Sequence, residues 1–533
     1  MLGLACALAL LPPPGPSQAA TVTTLGSLGP GNGPVGIAID STGDLYTANF
    51  SSNKVSKVLG SGGLAGGPWP VTVGAAPWDL ALDESGSVFV SNRGSNSLSR
   101  VTATGTPTTP FAVTGFTPQG VAIDPSGNIY VAATNSNWVS KITPAGGSAG
   151  GSWPVSLGTG TNPSDVSLDT NGNLYVANYS SDTVAKLNPD GTAAGAPWPA
   201  SVGDLPTQVV TDSAGNAYTS NEGTPDSVSK VTAAGSFPGA PWPVIVGSNP
   251  AALTIDSAGN LYTSDAGVAQ VSKVTPAGVA SVLASGGSLN GPQGITIDRL
   301  GNLYVSNFNG DTVSKIIPSG GEIAPAPPDT PAAPTAAAGD GEATVTVPAN
   351  PTDARYGTPS SYTVSAVGDS SKTCTVTPPA TSCEVTALSN GTSYTFTARA
   401  NLNSWQTASS GPSAAVVPTA QPVPSPTVSV KVSSVKAKVT RNSVLVTSKV
   451  RVSGAGKIAQ RATTKKGKKT KTWCRATKTV TQAGTYTLKC NLGKKGRTAL
   501  RKAALKVTLR TTFTPTGGSA ITDNRKLTLK RKR

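Results

Sequence analysis

The stretch GIAIDSTGDLYTAN, residues 36–49, decides the fold. Residues 37–39 alternate as a short strand does, Asp-x-x-Gly turns the chain, and residues 45–48 run back. The Asp40 carboxylate can cap backbone N–H groups of the turn, and Gly43 accepts the positive φ that such a turn needs. The unit recurs as GVAIDPSGNIYVAA at 120–133 and GITIDRLGNLYVSN at 294–307. Its turns begin at Asp40, Asp83, Asp124, Asp169, Asp212, Asp256 and Asp298, at intervals of 43, 41, 45, 43, 44 and 42 residues.

Two further strand-like pieces follow each turn. One is V-S-K-V at 55–58, recurring from Leu98, Val139, Val184, Val228, Val271 and Val313. The other lies at 71–73 and is often introduced by Trp-Pro. Four strands per repeat make one blade of a β-propeller. The seventh copy stops after its third strand, while residues 21–28 stand before the first copy as a spare fourth strand. Pairing the spare strand into the last blade closes the ring and removes an exposed sheet edge. The expected fold class is all-β: a seven-bladed β-propeller over 21–321, followed by two small β-sandwich domains.

The repeat, apolar-x-apolar-Asp-x-x-Gly-Asn-Leu-Tyr-Val-x-Asn with V-S-K-V after it, resembles the NHL-type propeller repeat. The resemblance covers about 300 residues. The family often has Asp after the second strand. Here Asn49, Asn92, Asn178, Asn221 and Asn307 stand there, with Asp265 once and Thr134 once. Relatives of this fold include recognition domains and a few metal-dependent lyases and lactonases, so the fold alone leaves the activity open.

The chain has no histidine, which removes the commonest general base and transition-metal ligand. The Asx residues after the second strand recur in nearly every blade, and repeated residues serve the repeat. Single carboxylates in the Asp-x-x-Gly turns are too few for calcium loops. No catalytic residue, metal ligand or cofactor is assigned, and the expectation is a binding scaffold, not an enzyme. The rival is a metal-dependent lactonase or lyase using Glu222 or Asp265. A basic residue in every third strand (Lys57, Arg100, Lys141, Lys186, Lys230, Lys273, Lys315) reads as a packed lysine or as an anion-binding ring. Trp69, Trp153, Trp198 and Trp242 read as packing between blades. Trp78 and Trp138 break the repeat. They are ligand candidates together with Asn49, Asn92, Asn178, Asn221, Asp265 and Asn307.

Residues 322–334 form a Pro/Ala linker, expected to be extended. Residues 335–420 alternate again, and LSNGTSYTFTARA at 388–400 resembles a fibronectin type III domain, whose tyrosine-corner region its Leu and Tyr match. A Pro-rich hinge at 421–427 leads to a basic, Ig-like β domain at 428–513 and a basic tail at 514–533. The net charge of +16 hides an asymmetry: residues 425–533 hold 29 Lys and Arg against Asp523 alone, while the rest is acidic. Lys465, Lys466, Lys468, Lys469 and Lys471 form one basic loop; Lys494, Lys495, Arg497, Arg501 and Lys502 form another. This is an electrostatic footprint for polyanions.

Residues 1–20 read as an export signal: an apolar stretch, then small residues satisfying the cleavage rule near Ala19. The later cysteines form two close pairs, Cys374 with Cys383 and Cys474 with Cys490, which read as disulfides in an exported chain. No other apolar run reaches the length of a membrane span. Together these features predict a secreted or cell-surface binding or adhesion protein. Its propeller would engage a protein, peptide or glycan, and its basic domain an anionic cell-envelope polymer; export argues against nucleic acid as the main target. An architectural surface-layer or coat component is the third reading.

Overall fold

The computed structural model describes residues 20–530 except 114, 116, 320–322, 351–352 and 422–426. All but Ala20 of the expected export signal, and most of the expected hinge, lie outside the described residues. The chain divides into two compact units at Ala420.

Seven four-stranded antiparallel sheets form the propeller. Blade 1 consists of Pro34–Ile39, Leu45–Asn49, Lys54–Val58 and Val71–Thr72. In blade 7, Pro292–Ile297, Leu303–Asn307 and Thr312–Ile317 are completed by Thr21–Ser27, which pairs antiparallel with Thr21 opposite Ile317. The Asp311 carboxylate secures this closure: it accepts the backbone N–H groups of Gly31, Asn32 and Gly33 at 2.9, 2.8 and 2.7 Å. Three charge-assisted bonds across the seam predict that Asp311→Ala lowers stability by about 2–3 kcal/mol. Urea unfolding checks this, and an unchanged midpoint contradicts it.

The repeat's side chains explain why each copy folds alike. In blade 1, Asp40 Oδ1 accepts the N–H groups of Thr42 and Asp44 at 2.9 and 3.0 Å, and Asp40 Oδ2 accepts the Tyr46 hydroxyl. Lys57 reaches Asp44 at 3.0 Å and lies over the Tyr46 ring, whose other contact is the edge of Trp69. Tyr130–Trp153, Tyr175–Trp198 and Tyr218–Trp242 repeat the aromatic pair, each with a lysine above the tyrosine. The seven basic residues of the third strands therefore lie over buried rings within the blades rather than free in a ring of charge.

Residues 323–334 do not hang free. Ile323 and Ala326 are buried against Ile297 and Leu303 of blade 7. Ser257 N–H donates to Pro325 O, and Ala326 N–H donates to Asp298 O. The chain then builds a small β-sandwich from a three-stranded and a four-stranded sheet, with Val345, Val364 and Phe396 fully buried between them. The Cys374–Cys383 disulfide joins these two sheets. Arg355 of the sandwich bridges to Glu84 of blade 2 at 3.1 Å, and Asn403 and Ser404 bond Ser257 of blade 6. Propeller and first sandwich are thus one body.

The second unit is also a two-sheet sandwich, stapled between sheets by Cys474–Cys490. A buried chain runs from Ser448 through Gln460 to Thr511. Two features differ from the sequence reading. Residues 494–502, expected as a loop, lie in the helix Gly493–Lys502, which buries Gly496 and Leu500. The expected tail contains the strand Ile521–Leu529, paired along Leu505–Pro515. No helix among the described residues is long and apolar enough to cross a membrane.

Candidate functional site

The first strand of each blade opens with Pro-x-x, and the strand pairing slips at that point in all seven blades. Such bulges re-aim side chains. Here they turn two residues from every blade toward the propeller axis, where a cavity of about 470 Å³ opens. Val35 and Gly36, Trp78 and Asp79, Gln119 and Gly120, Ser164 and Asp165, Thr207 and Gln208, Ala251 and Ala252, and Gln293 and Gly294 line it. Arg93, Thr134, Tyr179 and Glu222, each following a second strand, line it as well. The volume is that of a small-ligand pocket.

Reading the second of these positions from blade 1 to blade 7 gives Gly, Asp, Gly, Asp, Gln, Ala, Gly. The alternation is steric. A Cβ on Gly36 would stand 3.0 Å from Asp79 Oδ1, and one on Gly120 would collide with Asp165. Asp79 and Asp165 each lie against a glycine of the preceding blade, and both, with Gln208, latch onto the following blade. Asp79 Oδ2 accepts Val121 N–H at 2.9 Å, Asp165 Oδ2 accepts Val209 N–H at 2.9 Å, and Gln208 Oε1 accepts Leu253 N–H at 2.6 Å.

The carboxyls of Asp79 and Asp165 are unlike the others in the protein. Burial pushes Asp79 up to about 6 against the two backbone N–H groups that it accepts. Asp165 is raised well above the carboxylate range by burial and then by the negative charge of Asp79. Two carboxyls that repel in a desolvated site hold protons to higher pH than either would alone.

The residues after the second strands complete the wall. The Arg93 guanidinium lies 4.7 Å from the centroid of the Trp78 ring, and Phe50 meets that ring edge-on at 5.8 Å. Burial, and then the charge of Asp226, raises the Glu222 carboxyl. Burial and the charge of Glu222 raise the Tyr179 phenol, with Arg93 opposing. Among the described residues, no group of three or more His, Cys, Asp or Glu side chains could hold a metal ion.

The sequence candidates divide. Trp78 lines the cavity, as does Glu222. The repeated Asx residues do not: they are buried and tie the second strand to the third. Asn49 donates to Ser56, Asn92 to Ser99, Asn178 to Thr183, Asn221 to Ser229 and Asn307 to Ser314; Asp265 accepts the Ser272 hydroxyl. In blade 3 that register position is held by Ala133, and Thr134 is the next residue, bonding Pro163 O of the following blade. Trp138 lies away from the axis, at a cleft with Gly115 and Pro154. In the second unit, Lys465, Lys466, Lys468, Lys469 and Lys471 are exposed along one hairpin. Lys494, Lys495, Arg501 and Lys502 are exposed on the helix, and Arg497 is half-buried. The fold brings Lys471, Lys494 and Lys495 together around Trp473, with Lys471 Nζ 4.1 Å from its ring centroid. Asp79, Asp165, Arg93 and Tyr179 were missed by the sequence reading.

No protein-family model and no curated protein matches the chain. Solved structures do. A streptogramin B lyase is 17% identical with a TM-score of 0.46, over 56% of this chain and 98% of that one. A virginiamycin B lyase from Staphylococcus aureus is 18% identical with a TM-score of 0.46, over 56% and 99%. A gluconolactonase from Xanthomonas campestris is 13% identical with a TM-score of 0.34, over 56% and 90%. The expectation that the chain is not an enzyme is corrected to this extent: the solved structures it resembles are a lyase and a gluconolactonase, at 13–18% identity. What the chain shares with these proteins is the all-β propeller fold.

Proposed function

We propose that the chain is an exported glycan-binding protein, with the propeller channel taking the end of a saccharide and the basic unit associating with anionic cell-envelope polymers. One observation carries the first part. The cavity receives residues from all seven blades, yet its aromatic and charged groups stand where the repeat is not kept. Trp78 and Tyr179 offer flat apolar walls, and Gln119, Thr134, Ser164, Thr207 and Gln293 offer polar groups between them. This suits a polyhydroxylated ligand better than a peptide, which would need apolar side-chain pockets or a free sheet edge. Binding to a panel of immobilised oligosaccharides, with Trp78→Ala as the altered protein, tests it.

The export part rests on the apolar N-terminal residues and on two disulfides, which persist in oxidising compartments. The tether rests on about +28 charges in residues 425–533. A chain lacking 425–533 is expected to leave anionic envelope polymer in the soluble fraction. Retention of the full chain should fall steeply between about 0.05 and 0.5 M salt as screening shortens the reach of its charges. Equal retention of the two proteins contradicts the tether.

A second reading is favoured by the Asp79–Asp165 pair: carboxyls raised by burial in a cavity can act as general acid and base on a bound saccharide. The same panel tests it, through shortened products that Asp165→Asn abolishes.

A further inference from the structure

Resting on the channel reading above, we propose that the saccharide is cationic, an amino sugar whose ammonium is received by Asp79 and Asp165 while its ring lies against Trp78 and Tyr179.

The charges in the cavity carry the argument. Its ionisable lining consists of Asp79, Asp165, Glu222, Tyr179 and Arg93, with Asp226 acting on Glu222 from outside. Arg93 is the single cation in that lining, and its guanidinium lies over Trp78. Neither Asp79 nor Asp165 enters an ion pair among the described residues. The third-strand lysines that could neutralise them lie over the tyrosines of their own blades. Among the described residues, the propeller thus lines its axial cavity with two carboxyls and pairs no cation with them.

The carboxyls are also held for a ligand. One oxygen of each accepts a backbone N–H of the following blade, and Gly36 and Gly120 pack close against the two carboxyls and hold them in place. Asp165 is only 6% exposed and lines the cavity. An ammonium presents three donors, enough to serve both carboxyls at once. Its charge also relieves their mutual repulsion, which a neutral acetamide cannot do. The ring needs apolar faces, and Trp78 and Tyr179 are the aromatic residues of the lining. The second unit, at about +28, repels such a ligand, so attraction comes from the channel.

The experiment compares a β-linked glucosamine tetramer with its fully N-acetylated counterpart, titrated calorimetrically into the full chain at pH 7. The two probes share a backbone and differ in ammonium against acetamide. The amine form should bind at least tenfold more tightly. The Asp79→Asn, Asp165→Asn double variant keeps the carbonyl acceptors for Val121 and Val209, so it should fold, checked by its melting curve, and lose the preference. Equal or tighter binding of the acetylated form overturns the proposal. So does an undiminished preference in the double variant. Binding of neutral saccharides from the panel, with the amine form excluded, overturns the cation while leaving the channel reading standing. Failure of every saccharide removes both.

Discussion

At pH 8 the Asp79→Asn protein is expected to be more stable than the wild type, and at pH 4 the two should melt together. Asp79 ionises at about 6 in the folded chain, against an ordinary value of 3.8. A carboxyl raised in this way stabilises the fold while protonated. That contribution is present below about pH 4 and is lost as the pH rises through 6, because the unfolded chain gives up the proton first. At about 1.4 kcal/mol per pH unit, the loss amounts to about 3 kcal/mol. Water reaching Asp79 from the cavity reduces it, so a gain of about 1–3 kcal/mol is expected for the amide. Asn retains a carbonyl oxygen for Val121 N–H and removes the charge that raises Asp165. The advantage should therefore open between pH 4 and 6 and persist above it. Differential scanning calorimetry across this range is the check. An Asp79→Asn protein no more stable than the wild type at pH 8 would falsify the view of the pair as a strained, desolvated site.

That strain has a functional sense. A group kept costly in the empty protein is one whose cost a ligand can relieve, which is why perturbed carboxyls mark candidate sites. In this propeller the two raised aspartates, the half-buried Glu222 and the Arg93–Trp78 stack all converge on one cavity. The Asp-x-x-Gly carboxylates of the turns behave differently. Asp40 is held below the ordinary range: burial raises it, but Thr42, Asp44 and Lys57 together outweigh this. The same residue type is structural at the turn and available at the axis.

The blades were legible because the Asp-x-x-Gly turn has a local physical cause that repeats with the sequence. Closure was legible for a similar reason: a missing fourth strand and a spare one are complementary. The channel was less legible, though its signal was present. Asn49 and its equivalents are conspicuous in the sequence because they recur, and their recurrence means a buried bond to the third strand. The next position reads Phe50, Arg93, Thr134, Tyr179, Glu222, Ala266 and Phe308 and does not recur. Breaking the repeat pointed correctly to Trp78 but equally to Trp138, which lies in a third strand away from the axis. A broken repeat marks a channel residue only at positions that face the axis, and the bulge that fixes this cannot be seen in strand alternation. In the second unit, lysines and arginines at the helical positions around Leu492, Gly496 and Leu500 hid the apolar face that docks the helix. The last strand was hidden likewise, since only alternate residues among its polar ones turn inward.

The channel claim makes the other large prediction. Trp78 contributes an apolar wall and carries the Arg93 guanidinium, so Trp78→Ala removes a stacking surface and frees Arg93 to fold into the space. Loss of an aromatic anchor from a binding site costs about 2 kcal/mol or more, which is at least tenfold in affinity. Tyr179→Ala, on another blade, should act in the same direction, while Trp138→Ala, which strips the cleft away from the axis, should not. The decisive measurement is the affinity of these three variants and the wild type across the oligosaccharide panel, with calorimetry confirming that each is folded. The account predicts saccharide binding by the wild type, reduced at least tenfold by Trp78→Ala and Tyr179→Ala and unchanged by Trp138→Ala. Binding that survives both channel substitutions, or that is lost with Trp138 instead, would contradict it.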